Sequence, residues 1–215
     1  MKTTTLWKSM KAGLKSGVGD MTWKLKTWEK HEGALSMCNS GFHASIRAID
    51  AMRYVDCEVL ALVEVRGKHL KQSDKQCWSE MRVVRAYEWT KPDSVAMAIY
   101  AAELVIGNYE KKYPDDKRPR QAIEAAKAWL ENPTEENRAS ASAASAAADA
   151  AASASAAYAA YAAAYAAYAA AYAAYAAASA ADASASASAA DASASALDKV
   201  EAWIQERIAT LKEVT

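Results

Sequence analysis

The chain has 215 residues, enough for one large or two small domains. It carries 26 Lys and Arg against 26 Asp and Glu, so no net charge draws it toward nucleic acid or an anionic membrane. Three cysteines without paired spacing argue against a disulfide framework and for a reducing compartment, and we interpret Cys38, Cys57 and Cys77 as small buried apolar residues.

Short patterned runs rich in Trp, Met, Gly and β-branched residues fill residues 1–92. Residues 45–55 carry apolar side chains near helical spacing, which predicts a helix. Residues 59–65 have the length and composition of a strand that Gly67 closes, and residues 81–87 indicate a second strand. This order predicts a small α+β domain over residues 1–92.

An all-α domain is predicted over residues 93–215. Asp93 suits the N-cap of its first helix, Pro114 stops that helix, and Thr134 suits the start of the third. The predicted helices cover residues 94–113, 118–131, 134–196 (with or without a break) and 197–212.

Residues 139–196 consist of four residue types, namely 38 Ala, 11 Ser, 6 Tyr and 3 Asp. Alanine has the highest helix propensity and neither Gly nor Pro interrupts the run, so a helix is predicted. It is either one long rod or a chain that folds back at a Ser-rich stretch. The predicted fold class is therefore an α+β domain followed by an alanine-rich helical bundle or a long helical hairpin.

Six tyrosines in this run are spaced 3, 4, 3, 4 and 3 residues apart, so they lie along one stripe of a helix. The tyrosine stripe comprises Tyr158, Tyr161, Tyr165, Tyr168, Tyr172 and Tyr175. We favour packing within the chain or in a homo-oligomer. The alternatives are an exposed aromatic surface for a flat ligand or protein, and an ice-binding face, which Tyr in place of Thr weakens. Residues 156–178 are uncharged, but Tyr prefers the membrane interface to the midplane, so no membrane span is predicted.

None of the three histidines lies in a metal-ligand motif, and no nucleotide-binding glycine loop is present, so no metal or cofactor is predicted. One constellation nevertheless resembles the core of ADP-ribosyltransferase-type folds. It consists of the run CNSGFHAS at residues 38–45, a helix with a tyrosine, a strand, and a glutamate at a later strand. The resemblance implies a nicotinamide pocket formed by Ser45, Tyr54 and Glu80, with His31 or His43 as a ribose contact.

Two longer segments resemble known families. Residues 28–67, with LSMCNSGFHAS and LALVEVRG, resemble an N-terminal domain of unknown function from bacteriophage proteins. Residues 94–130, with YEKKYPDDKRPRQAIEAAKAWL, are similar to an alanine-rich immunity-protein family of bacteria and phages. Members usually carry His and Arg among their alanines, whereas this chain has Tyr, Ser and Asp.

These resemblances imply a phage or mobile-element protein in the cytoplasm of a bacterial host. The hypothesis is a non-enzymatic accessory protein that binds a host defence protein or a nucleotide-type signal, and that forms a homo-oligomer through its alanine and tyrosine helices. The alternatives are an NAD-dependent ADP-ribosyltransferase and a structural helical oligomerisation protein.

Overall fold

The computed structural model describes residues 3–141, 143–144 and 187–215. They form two compact units: the N-terminal unit, residues 1–90 with 205–215, and the helical unit, residues 91–204. The antiparallel sheet comes first in the chain and the helices follow it. This is the order that the sequence predicted, an α+β region and then an α-helical region. The choice between a bundle and a hairpin depends on the alanine-rich run, and the tyrosine stripe and the predicted helix 134–196 lie largely or wholly outside the described residues.

All strands of the N-terminal unit pair antiparallel in one sheet. They are β1 (Thr4–Met10), β2 (Glu29–Lys30), β3 (Phe42–Ala44), β4 (Val59–Lys71) and β5 (Gln76–Glu88). The spatial order is β1-β4-β5-β2, and β3 also pairs with β5. A short helix, α1 (Ala48–Met52), follows β3 and is shorter than the predicted helix at residues 45–55.

The strand predicted to close at Gly67 continues to Lys71. Gly67 adopts φ +88°, and the pairing of β4 with β5 shifts register between Arg66 and His69. A glycine with positive φ accommodates a β-bulge, so Gly67 lets the strand change register and continue. Likewise β5 begins at Gln76, five residues before the predicted start.

A two-bond bridge joins β1 to the residue that follows β3. The Trp7 N–H donates to the Ser45 carbonyl at 2.8 Å, and the Ser45 N–H donates to the Trp7 carbonyl at 2.8 Å. Because β3 also pairs with β5, this bridge links the two ends of the strand order β1-β4-β5-β3. The buried core includes Leu6, Met10, Trp23, Val63, Val65, Met81 and Val83.

Two ion pairs cross between the central strands on the face opposite this core. Arg66 Nε lies 2.7 Å from Glu80 Oε2, and Arg82 Nη2 lies 2.6 Å from Glu64 Oε2. The two residues of each pair lie directly opposite each other on β4 and β5, the arrangement in which cross-strand side chains interact. The guanidinium carbons of Arg66 and Arg82 lie 4.0 and 4.9 Å from the ring centroid of Trp28. Charged and aromatic side chains thus cover this face together.

The last described helix, α4 (Ala187–Ile208), ends four residues before the predicted end at residue 212. The chain then pairs with β5. The Glu88 N–H donates to the Lys212 carbonyl at 2.9 Å, and the Val214 N–H donates to the Ala86 carbonyl at 2.8 Å. Residues after α4 therefore complete the N-terminal sheet, which the sequence pattern did not indicate.

The helical unit contains α2 (Lys91–Lys112) and α3 (Arg118–Glu131). The first begins at Lys91, so Asp93 lies in its first turn and not at the N-cap, because Pro92 fits the first turn without losing a hydrogen bond. Thr134 does cap the next helical segment, since its Oγ1 accepts the Asn137 N–H at 3.2 Å. The helices pack through Ile99, Ala102, Ile106, Tyr109, Ile123 and Trp129.

Tyr109→Phe should lower the free energy of unfolding by about 1 kcal/mol, the net contribution of one hydrogen bond. The buried Tyr109 hydroxyl donates to Asp116 Oδ2 at 2.7 Å, and Asp116 keeps its pair with Arg118 in the variant. Urea unfolding followed by circular dichroism measures the change. Tyr100→Phe is the control, because it keeps the ring stacked on Trp203; an equal loss in both variants would contradict the assignment.

Candidate ligand-binding site

A cavity of about 370 Å³ lies in the N-terminal unit. Its walls come from β1, the loop after it, the segment from residue 38 to Ser45, the end of α1 with the residues that follow, and Lys75. Four aromatic residues line it: Trp7, Trp23, Phe42 and Tyr54. The rings of Trp23 and Phe42 meet edge to face, with their centroids 5.1 Å apart. The cavity is therefore largely aromatic and apolar.

Lys8 contributes a cation from an inward-facing position of β1. Leu6 and Met10 flank it at the two-residue spacing of a strand, and both belong to the buried core. Its amine donates to the His43 carbonyl at 3.0 Å and lies 5.6 Å from the ring centroid of Trp23. Among the described residues no carboxylate pairs with it. Burial lowers the pKa of Lys8 to about 8, against a smaller opposing effect of the Cys77 thiol.

His43 lines the cavity, but its ring is engaged in local structure. Nε2 accepts the backbone N–H of Cys38 at 2.9 Å, and the ring also hydrogen-bonds the backbone of Gly41. Burial first, and the positive charge of Lys8 second, lower the pKa of His43, so the ring is neutral at pH 7. A neutral ring with these bonds fixes the segment between Cys38 and Gly41.

The mouth of the cavity joins three segments of the chain. Lys75 donates to Cys38 Sγ at 2.9 Å, and its amine lies 4.1 Å from the ring centroid of Tyr54. The Tyr54 hydroxyl donates to Asp74. The hydrogen bond to Cys38 is the main cause that raises the pKa of Lys75, whereas burial is the main cause that raises the pKa of Tyr54. Cys38 is exposed and Cys57 is half-buried, which corrects the expectation that all three cysteines are buried; Cys77 alone of the three is buried.

The structure brings together three of the five site residues named from the sequence. His43, Ser45 and Tyr54 line the cavity. Glu80 lies on β5, paired with Arg66 on the opposite face of the sheet. His31 Nε2 is hydrogen-bonded to the Ser40 hydroxyl at 2.8 Å, and neither His31 nor Glu80 contributes to the cavity wall. The trio implied by the ADP-ribosyltransferase resemblance is therefore not assembled at one site.

Two lysines of the cavity, Lys8 and Lys75, were missed by sequence reasoning. The alternation Leu6-Lys8-Met10 carries a signal for Lys8, because it places the lysine on the core face once the strand is recognised. Lys75 lies in the turn between β4 and β5, and no local pattern indicates its position at the mouth.

Within residues 3–141, 143–144 and 187–215, no three His, Cys, Asp or Glu side chains come close enough together to hold a metal ion. No helix in the same ranges combines the length and the hydropathy that crossing a membrane requires.

Two family models match the chain. The model described as "Domain of unknown function (DUF7666)" matches residues 4–93, which contain the whole cavity. The model described as "Imm-5 like putative immunity protein" matches residues 90–214. Neither the curated proteins nor the solved structures give a significant match.

Proposed function

The chain belongs to the Imm-5 like putative immunity protein family, whose model covers more than half of its length, and on this premise we propose that it acts by binding. In this proposal the chain is a phage or mobile-element accessory protein of the immunity type that works inside a bacterial cell. Its N-terminal cavity holds a nucleotide-type ligand, and no chemical step on that ligand is required.

The observation that carries this proposal is the charge of the cavity. The charged side chains among its lining residues are Lys8 and Lys75, and none of those lining residues is Asp or Glu. Lys8 is half-buried, and withdrawing a cation from water is costly unless a negative group pairs with it. An anionic ligand would supply that group. Its negative charge would also raise the pKa of the Lys8 amine, which burial lowers.

The aromatic walls support a ligand with a flat ring. Trp7, Trp23, Phe42 and Tyr54 together offer faces and edges that bind planar groups. Cavities for small ligands are typically apolar, with a few polar groups that fix orientation. A ring and an adjacent anionic group are the two parts that nucleotides share.

The geometry favours binding over catalysis. Glu80, the glutamate that the transferase hypothesis requires, is neutralised by Arg66 away from the cavity. The His43 ring is occupied by backbone groups on both sides, so it offers no open nitrogen for proton transfer. These placements support a binding protein more than an NAD-dependent ADP-ribosyltransferase.

A host defence protein is a second candidate partner, and exposed apolar side chains near the cavity favour it. Val18 and Tyr54 both line the cavity, and they are 84% and 48% exposed. Exposed apolar groups gathered in one area are typical of interaction surfaces. A protein bound here would cover the mouth of the cavity.

Lys8→Met tests the proposal through ligand-dependent melting. A nucleotide panel at about 100 times Kd should stabilise the wild type by about 2.7 kcal/mol, since the ligand binds the native state. Removing the lysine should weaken the affinity about tenfold or more, because a hydrogen bond to a charged group is lost. Differential scanning fluorimetry measures both effects.

Lys24→Met is the matched control, because it removes the same charge from an exposed position beside Trp23. It should respond to nucleotides as the wild type does. A wild type that no nucleotide stabilises, or a Lys8→Met variant with unchanged affinity, would refute the ligand proposal.

A further inference from the structure

We infer that the cavity selects a mononucleotide, with one ring and one phosphate group anchored at Lys8, over a dinucleotide such as NAD. This inference rests on the proposed function and specifies its ligand class. Three features of the cavity support it: its volume, the close packing of two of its walls, and the number of cations available to an anion.

The volume suits a small ligand. Ligand cavities commonly measure about 300 to 1,000 Å³. At about 370 Å³ this cavity lies near the lower limit of that range. One ring with a sugar and one phosphate fills such a space, whereas a dinucleotide of twice the size would leave half of its surface outside.

Close packing at two glycines limits the cavity at two of its walls. A Cβ atom at Gly17 would lie 2.2 Å from Val55 Cγ1, so the backbone of the loop after β1 rests directly on Val55. A Cβ atom at Gly41 would lie 2.6 Å from both Cys77 Sγ and Leu35 Cδ2. The wall at Gly41 is thus backed by side chains outside the cavity, and the wall at Gly17 is packed against another lining residue. A ligand that extended through either wall would have to displace these side chains.

The cations differ in their availability to a ligand. Within the described residues the Lys8 amine makes one hydrogen bond, to the His43 carbonyl, and an ammonium has three donors. Lys75 is already engaged with the Cys38 thiol and the Tyr54 ring. One anionic group bound at Lys8 therefore pairs with the available cation of the cavity. The second phosphate of a dinucleotide would lack an equivalent partner there.

Cys38 provides a reporter for ligand in this cavity. It is exposed and lines the cavity wall, so a bound ligand should shield its thiol from alkylation. Cys77 is buried, and burial raises the pKa of Cys57 to about 12, so both should react slowly with or without ligand. These two thiols are internal references in the same molecule.

The experiment measures alkylation of Cys38 in the full chain by mass spectrometry. The ligands are NAD, inorganic phosphate, the four common ribonucleoside monophosphates and their four parent nucleosides, all at equal concentration. At least one monophosphate should slow alkylation about tenfold, whereas NAD, the matching nucleoside and phosphate alone should change the rate less than about twofold. Lys8→Met should need about ten times more of that monophosphate for equal protection, and Lys24→Met should need no more than the wild type.

Each other outcome decides against at least one of the two proposals. Equal protection by NAD, or equal protection by the nucleoside without phosphate, overturns the mononucleotide inference and leaves nucleotide binding intact. Nucleotides that raise the melting temperature without shielding Cys38 bind elsewhere, which overturns both statements about the cavity. If no nucleotide shields Cys38 or stabilises the protein, the proposed function itself fails. Unchanged far-UV circular dichroism of Lys8→Met establishes that a lost response is not unfolding.

Discussion

Gly41→Ala should lower the free energy of unfolding of the N-terminal unit by about 4 kcal/mol. Gly41 adopts φ +103°, and holding a non-glycine residue in such a conformation costs about 1 to 3 kcal/mol. The added methyl would also meet Cys77 Sγ and Leu35 Cδ2 at 2.6 Å, and overpacking costs about 1 to 3 kcal/mol. Urea unfolding followed by tryptophan fluorescence measures the loss.

Gly19→Ala separates the two contributions. Gly19 also has a positive φ, +76°, but a Cβ atom there would find nothing within 4 Å. It should therefore cost about 1 kcal/mol, from backbone conformation alone. A loss at Gly41 no greater than that at Gly19 would show that Cys77 and Leu35 move aside freely, and that this wall of the cavity is not rigid.

Lys8→Met should stabilise the protein at pH 7 by up to about 3 kcal/mol, while it weakens ligand binding. The pKa of Lys8 falls from its ordinary 10.5 to about 8 in the folded protein, and each unit corresponds to about 1.4 kcal/mol. Below pH 8 the amine is charged in both states, so burial penalises the folded state fully. Methionine carries no such penalty and matches the apolar neighbours Leu6 and Met10.

The pH dependence of stability gives the clearest readout of this effect. Between pH 8 and 10.5 the unfolded chain holds the Lys8 proton while the folded protein releases it, so wild-type stability should rise relative to Lys8→Met. Chemical unfolding at pH 7, 8, 9 and 10 in both proteins measures this difference. Other groups that titrate in the window contribute similarly to both curves. Parallel curves for the two proteins would contradict a desolvated Lys8.

A change that raises stability and weakens ligand binding would itself be informative. Binding sites often contain a residue that lowers the stability of the protein, and replacing that residue raises the stability. Lys24→Met serves again as the reference, since an exposed lysine should show neither the gain nor the altered pH profile. The combination of greater stability and weaker binding distinguishes a ligand contact from a merely tolerated charge.

Local composition was enough to predict the two long strands and the helices that follow them. Valines lie in the predicted parts of β4 and β5, and α3 has apolar residues on one face between Pro119 and Asn132. β1 was missed because Thr, Trp, Lys and Ser hide its alternation. The pairing of residues 212–214 with β5 was missed because it joins positions more than 120 residues apart, and no local pattern encodes such a contact.

Residues of the candidate site were predictable only where they are neighbours in the chain. His43 and Ser45 lie in one short segment and Tyr54 follows within ten residues, so one motif identified all three. Glu80 was misplaced because strand alternation decides which face it occupies, and the pairing with Arg66 fixes it away from the cavity. Lys8 and Lys75 come from opposite ends of the N-terminal unit's chain, and their convergence depends on the completed sheet.

The hydrogen bonds from Glu88 to Lys212 and from Val214 to Ala86 also impose an order on biosynthesis. The outer residues of β5 cannot obtain these partners until every residue of the helical unit has been translated. A nascent chain that has emerged only as far as residue 90 would therefore carry an unfinished sheet edge through the synthesis of the alanine-rich run. Removing residues 209–215 should leave that edge permanently open to pairing with another chain, a route to aggregation that the native C-terminal segment blocks.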